Sequence, residues 1–337
     1  MQPFEYVSPT TVEEALGLLG QTGDGTTQLL AGGTDLLTLM KTDIMAPSRL
    51  VNLKRLAGVP SDIAETDQGL TLGALTPLTE LEMHPIIRQH YPLLAQAAAV
   101  AATPQLRNMA TLGGNLLQRP RCWYFRNPRL HCWLKGGETC PAYTGENALH
   151  ALFGDGPCYA VHPSDIAPAL LALDAEVHLR GQNGERMLPL AEFFALPVAE
   201  RRTETMVRGD ELLLSVRLPP LPDGTRSIYL KAMDRQVWAF ALVGVAAVVR
   251  MGSGAARRIE DARLILSGVA PIPWRAVAAE EELMGAEVST ALFARAAEAA
   301  LAGAAPLQHN AYKLPLVRAL IQRALAFLTE KASADDC

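Results

Sequence analysis

Apolar positions recur at helical spacing soon after the N-terminus. Val12, Ala15, Leu16 and Leu19 share one face, and Thr11 with Glu14 has the spacing of a capping box. This helix ends near Gly20. Gln28-Leu29-Leu30-Ala31 reads as a brief buried strand, stopped by Gly32-Gly33-Thr34-Asp35 and followed by a helix through Leu36, Leu37 and Met40. Further strands are predicted at Leu50-Val51-Asn52-Leu53 and over Leu70 to Ala74, with Thr76-Pro77 as cap and first-turn pair of the next helix. Leu93 to Ala102 is a small-residue, buried helix that stops before Pro104.

Later in the chain Pro168 to Leu173 is a short apolar helix, and Ala175-Glu176-Val177-His178-Leu179 alternates as a strand does, turning at Asn183-Gly184 into Met187-Leu188. Leu212 to Val216 is another strand, and Pro219-Pro220-Leu221-Pro222-Asp223-Gly224 has the composition of a linker. The boundary is placed there, giving units over 1–220 and 225–331. The second unit carries strands at Ile228 to Ala232, Ala241 to Arg250 and Ala262 to Leu266, then alanine-rich helices from about Trp274 to Leu301 and from Leu314 to Leu328. The fold class is α+β. No internal repeat is visible, and the residues after Lys331 are expected to fray.

Composition supports real cores: 337 residues, 49% hydrophobic and only 19% charged. A net charge of -5 argues against a nucleic-acid partner, which demands a basic face. No apolar run reaches a membrane span, and the N-terminus lacks the basic and apolar regions of a signal peptide. A cytoplasmic location is expected, or a periplasmic one if a folded complex is exported on a partner's signal. Reduced cytoplasmic thiols would make clustered cysteines metal ligands or catalytic groups rather than disulfides.

The candidate chemistry is crowded between Arg107 and Asp165. A Gly-Gly pair between strand and helix lets the main chain take positive φ and present successive N–H groups to an anion. Ala31-Gly32-Gly33-Thr34-Asp35 and Leu112-Gly113-Gly114-Asn115 are two such pairs. Neither is a GxGxxG fingerprint and neither carries a P-loop lysine, so a Rossmann domain is not indicated. Two loops of this kind suit a dinucleotide whose pyrophosphate lies between them; a plain tight turn is the bland reading of either one alone. Between them and Asp165 lie Cys122, Cys132, Cys140 and Cys158, separated by nine, seven and seventeen residues. The absence of a CxxC pair counts against zinc knuckles, and the spacing matches neither standard ferredoxin pattern. An iron–sulfur cluster, zinc, or unligated cysteines all remain open at this point. Leu116 to Gly137 contains Arg119, Arg121, Arg126, Arg129 and Lys135 and no acid, an excess that would offset a thiolate-ligated cluster or dock a partner. Trp123, Tyr124, Phe125 and Trp133 would shield a cluster or form an interface. Cys337, at the terminus, reads as incidental.

Three segments, Leu29-Leu30-Ala31-Gly32-Gly33-Thr34-Asp35-Leu36, Arg107-Asn108-Met109-Ala110-Thr111-Leu112-Gly113-Gly114-Asn115-Leu116 and His162-Pro163-Ser164-Asp165, resemble the FAD-binding medium subunit of the xanthine dehydrogenase family of molybdenum hydroxylases. The resemblance covers nearly the whole chain. It implies the FAD-binding fold shared with vanillyl-alcohol oxidase and carbon monoxide dehydrogenase flavoproteins, followed by a smaller α+β domain. It implies that Leu29 to Leu36 and Thr111 to Asn115 surround the FAD phosphates and ribityl chain, that Asp165 contacts the flavin nucleotide, and that Leu213 and Lys231 lie near the isoalloxazine. Without the resemblance, Asp165 reads as a helix N-cap, Lys231 as an exposed strand lysine and His162 as a structural turn residue. The cysteine loop, over 117–161, is similar to that of a subset including the 4-hydroxybenzoyl-CoA reductase β subunit and a bacterial periplasmic aldehyde oxidoreductase flavoprotein. There, four cysteines hold one [4Fe-4S] cluster.

The implied partners are a large molybdenum-cofactor subunit and a small subunit with two [2Fe-2S] clusters, in a heterotrimer that can pair into a dimer of heterotrimers. No catalytic residue is assigned to this chain; FAD would pass electrons to NAD+, oxygen or a quinone. Reversed flow toward an aromatic CoA thioester is the nearest alternative, and a flavin-free zinc scaffold the alternative of another class.

Overall fold

A computed structural model describes residues 1–20, 26–252 and 257–330. The first sheet is parallel and small: β1 (Glu5–Val7), β2 (Thr27–Leu30) and β3 (Arg49–Asn52), in the order β1-β3-β2. Helix α1 (Val12–Gly20) buries Val12, Ala15, Leu16 and Leu19, as the spacing predicts. Its capping box forms: Thr11 Oγ1 accepts from the Glu14 N–H at 3.2 Å, and Glu14 Oε2 accepts from the N–H groups of Thr10 at 2.8 Å and Thr11 at 3.3 Å. These donors hold the exposed Glu14 carboxyl below its ordinary pKa. β2 leads through the first glycine turn into α2 (Leu36–Lys41).

The second sheet has β4 (Ile63–Thr66), β5 (Gly69–Gly73), β6 (Glu176–Gly181), β7 (Gly184–Pro189) and β8 (Leu212–Leu218), antiparallel in the order β4-β5-β8-β6-β7. Helices α3 (Leu78–Met83), α4 (Pro85–His90), α5 (Pro92–Ala99), α6 (Pro104–Arg107), α7 (Leu112–Leu116), α8 (Ile166–Ala172) and α9 (Leu190–Phe193) complete this part. Several expected boundaries move for local reasons. Thr76 does not cap α3: its hydroxyl donates to the Asp62 carbonyl, Pro77 is itself the N-cap residue, and the Leu78 N–H is taken by the Ala110 carbonyl at 2.9 Å. α5 ends short of the predicted Ala102, which takes a left-handed φ of 52°. α8 begins before Pro168, because proline is tolerated in a first turn whose N–H groups lack helical acceptors anyway. The mostly exposed edge strand β4 carries too little apolar pattern to have been predicted.

The third sheet is β9 (Thr225–Ala232), β10 (Val243–Met251), β11 (Ile259–Ser267) and β12 (Trp274–Arg275), antiparallel in the order β12-β11-β10-β9. Alternate residues of β10 separate two cores. Ala246 and Val248, with Tyr229 and Ile265, join the cluster built on α5 and α8. Val245, Ala247 and Val249 pack instead with α10 (Val277–Leu283), α11 (Thr290–Ala299) and α12 (Lys313–Thr329). A sheet covered on both faces explains the uninterrupted apolar run of β10. The helix predicted from Trp274 is broken: Trp274 and Arg275 pair with Leu266 and Ile265, and Gly285 at φ 72° lies in the break between α10 and α11. Pro219 to Gly224 connects β8 to β9. Cys337 and the other residues from Lys331 onward lie outside the described residues. Among the described residues no helix is long and apolar enough to cross a membrane.

Candidate cofactor cradle and thiol cluster

The two glycine segments meet, and Gly32 is the reason. A Cβ on Gly32 would stand 2.0 Å from the Met109 carbonyl oxygen, so only glycine lets the first turn lie against Met109 and Ala110. Gly33 follows with φ 71°. Among the described residues the N–H groups of Gly32, Gly33, Thr34 and Asp35 donate to no protein acceptor. They form a row of unused donors at the entry to α2, and Leu29 to Leu36 are all half-buried rather than enclosed as a buried strand would be. Such a turn can receive an anionic group.

The second pair has another purpose. Gly113 and Gly114 lie inside α7 without positive φ, correcting the expectation of a second nest. The N–H groups of Leu112, Gly113, Gly114 and Asn115 are taken by the Thr76 carbonyl, the Ala74 carbonyl, Thr111 Oγ1 and the Thr111 carbonyl, at 2.9, 2.9, 3.2 and 2.8 Å. Gly113 is small because a Cβ there would meet Ala74 at 3.1 Å and Leu213 Cδ2 at 3.5 Å. These glycines bring α7 close to β5 and β8, leaving Gly114 exposed and Asn115 half-buried beside the cradle. Asn115 Oδ1 accepts from the Ser164 hydroxyl, joining α7 to the start of α8.

Asp165 stands at the N-cap position of α8 but does not cap it; Ser164 Oγ accepts from the Ala167 N–H instead, at 2.9 Å. The Asp165 carboxylate accepts from Tyr229 Oη and from Lys231 Nζ, each at 2.8 Å, and Lys231 also donates to the Val100 carbonyl at 3.0 Å. The two charged side chains are 6% and 2% exposed, so the reading of Lys231 as an exposed strand lysine is overturned. Burial raises the Asp165 pKa against the opposing pull of Lys231, and Tyr229 is raised well above the ordinary phenol value by burial and then by Asp165. Leu213 is buried in β8 against α7. His162 is enclosed edge-on to Phe194, and burial pushes its pKa down to about 3, which suits a structural neutral ring.

All four cysteines are free thiols in one apolar cluster with Leu39, Phe125, Trp133, Leu134 and Ala160. Cys132 and Cys158 are buried, Cys122 and Cys140 half-buried. Burial pushes Cys122 up to about 11 and Cys158 higher still, while the N–H groups of Phe125 and Tyr124 at Cys122, and of Ala160 at Cys158, favour their thiolates. His150 Nε2 lies 3.2 Å from Cys122 Sγ. Among the described residues no set of three or more His, Cys, Asp or Glu is drawn tightly enough to enclose a single metal ion.

Three of the loop's four arginines, Arg119, Arg121 and Arg126, do not stand free as a basic surface. Asp35 Oδ1 pairs with Arg121 at 2.8 Å and Arg126 at 2.7 Å, and its Oδ2 accepts from the Arg119 N–H at 2.9 Å. Arg119 also pairs with the buried Glu204 at 2.9 Å and lies over Phe125; Arg202 covers Trp133. Burial lowers the Arg121 pKa to about 10, with Asp35 opposing. Thus the residue that closes the glycine turn also anchors the thiol loop. Sequence reasoning found Asp35 but not this second task, and missed His150, Glu204, Arg202 and Tyr229, since no motif links residues so far apart in the chain.

A family model described as the FAD binding domain in molybdopterin dehydrogenase matches residues 2–221. The chain belongs to this family. Residues 228–328 match the CO dehydrogenase flavoprotein C-terminal domain. Within the family, the chain is 39% identical to the aldehyde oxidoreductase FAD-binding subunit PaoB of Escherichia coli, over 97% of this chain and 98% of that one. It is 30% identical to the carbon monoxide dehydrogenase medium chain of Hydrogenophaga pseudoflava, over 96% of each. A solved carbon monoxide dehydrogenase structure from the latter organism superimposes with a TM-score of 0.76 at 28% identity, covering 96% of each chain. Quinoline 2-oxidoreductase from Pseudomonas putida 86 shares the fold, with a TM-score of 0.73 at 22% identity. As a member of this flavoprotein family, the chain is an oxidoreductase component, and its α+β architecture is the family's.

Proposed function

We propose that the chain is the FAD-binding electron-transfer subunit of a molybdenum-dependent aldehyde oxidoreductase, and that its thiol loop holds a [4Fe-4S] cluster. The observation that carries this reading is Asp35. It closes the row of unused amides at Gly32 to Asp35 and, through Arg119, Arg121 and Arg126, holds the loop that gathers Cys122, Cys132, Cys140 and Cys158. The full-length similarity to an aldehyde oxidoreductase FAD-binding subunit supports the substrate class.

In this reading Gly32 to Asp35 receive the FAD pyrophosphate, with Leu29, Leu30, Ala31 and Leu36 along its edge and Thr111 to Asn115 as the facing wall. Leu213 supports that wall from β8. Asp165 and Lys231 fix α8 against β9 and so set the depth of the site. The thiols fit a cluster because they share one apolar cluster of side chains and because the amide N–H groups of Phe125 and Tyr124 near Cys122, and of Ala160 near Cys158, favour the thiolate form in which sulfur ligates iron. A bound flavin exchanges electrons singly or in pairs, which joins one-electron iron–sulfur relays to a two-electron acceptor such as NAD+, oxygen or a quinone. The partners are a large molybdenum-cofactor subunit and a small subunit with two [2Fe-2S] clusters, in a heterotrimer that can pair with a second copy.

The test is purification of the chain with its copurifying subunits. Noncovalent FAD, iron with matching acid-labile sulfide, and molybdenum in the large subunit are expected. Stoichiometric zinc in a colourless protein would sink the proposal.

A further inference from the structure

We infer that His150 is a positioning residue that donates a hydrogen bond from Nε2 to the sulfur of Cys122 and thereby raises the reduction potential of the cluster; the inference rests on the [4Fe-4S] reading above.

The geometry is specific. His150 Nε2 stands 3.2 Å from Cys122 Sγ, and the ring is boxed by the two residues that follow that cysteine: edge-on to Trp123 at 5.1 Å and tilted against Tyr124 at 5.9 Å. The backbone is held as firmly. The His150 N–H donates to the Asn147 carbonyl, and its own carbonyl accepts from Asn310 Nδ2 at 3.1 Å and Lys313 Nζ at 2.9 Å. Lys313 is fully buried on α12 and also donates to the Gly268 carbonyl at 2.7 Å. The C-terminal helix therefore fixes the histidine from behind while the cysteine loop fixes it from the side.

The proton's place on the ring follows from its surroundings. Nδ1 is buried and, among the described residues, has no hydrogen-bond partner. A proton on Nδ1 would bury an unsatisfied donor and turn a lone pair toward a metal-bound thiolate. A proton on Nε2 gives the sulfur a donor and leaves only one acceptor unsatisfied. An imidazolium would also donate from Nε2, so the direction of the bond does not depend on the ring's charge. A hydrogen bond to a ligating sulfur stabilises the more negative, reduced cluster, which moves the potential upward. Nothing in the local sequence around His150 announces this role; the contact is made across a loop of more than two dozen residues.

Redox titration followed by electron paramagnetic resonance, on the complex purified with its partners, tests the assignment. His150→Leu removes the donor; His150→Gln keeps one. With iron retained, His150→Leu is expected to lower the ratio of reduced to oxidised cluster at the wild-type midpoint about tenfold, a fall of about 59 mV for a one-electron couple, while His150→Gln stays close to wild type. An unchanged potential in His150→Leu overturns the inference, as does an equal fall in both variants, which would trace the effect to packing. Should His150→Leu lose its iron, the wild-type complex labelled with 15N-histidine decides: nitrogen modulation on the reduced-cluster signal is expected, and its absence overturns the inference. A wild-type complex without any iron–sulfur signal overturns the cluster reading itself, and that outcome is separate from all of these.

Discussion

Asp165 and Lys231 show how little a residue's type says about its surroundings. A lysine on an alternating strand is usually solvated, yet β9 lies against α5, and the ammonium is closed off with the Asp165 carboxylate and one carbonyl as acceptors. Removing one member of a buried pair strands the other. Lys231→Met is expected to cost about 3–5 kcal/mol, read as a lower urea midpoint, and the double variant with Asp165→Asn should recover most of that loss. Lys313 is buried without a carboxylate partner among the described residues, and burial lowers its pKa to about 7 from an ordinary 10.5. Between those values the unfolded chain binds the extra proton, so this group makes the fold more stable as pH rises, by at most about 1.4 kcal/mol per pH unit. The gain is complete above the ordinary value and lost as pH falls through the folded one. Lys313→Met should flatten that slope in denaturant unfolding measured from about pH 7 to about pH 9.

At the level of elements, two Gly-Gly pairs of the same sequence character do different work. The first is an open turn in which Gly32 is packed against a backbone carbonyl and Gly33 is left-handed; the second is the first turn of a helix whose amides are already satisfied. Gly32→Ala must push the turn away from Met109. The expected result is a protein that folds with about 1–3 kcal/mol less stability and retains little FAD after gel filtration, measured by absorbance. The capping box of α1 was legible because its donors and acceptors lie within four residues of each other. The caps of α3 and α8 were not, since Ala110 serves one from across the fold and Ser164, tied to Asn115, replaces Asp165 in the other.

For the whole molecule the consequential tie is Asp35, where the cradle and the thiol loop share one carboxylate. Asp35→Asn keeps the side chain's shape but weakens its hold on Arg121 and Arg126. Iron and FAD are expected to fall together in the purified complex, each assayed against protein, whereas Cys132→Ser should lose iron and keep FAD. Independent losses in Asp35→Asn would show that the two sites are not mechanically joined. The third sheet makes a similar connection at larger scale: one face completes the core around α5 and α8, and the other carries the helix whose Lys313 reaches His150.

The sequence alone determined whatever depends on neighbours in the chain: the α1 capping box, the β6–β7 hairpin, the glycine-turn entry to α2, and the presence of four thiols in a basic, aromatic loop. Only tertiary structure decided which amides remain unpaired, which arginines are neutralised by Asp35 and Glu204, and that Lys231, Lys313 and His150 are enclosed. Periodicity and capping arise from local backbone geometry, which a short window of residues contains. Burial and charge pairing depend on the partners that distant segments bring, and those partners exist only once the chain has closed on itself.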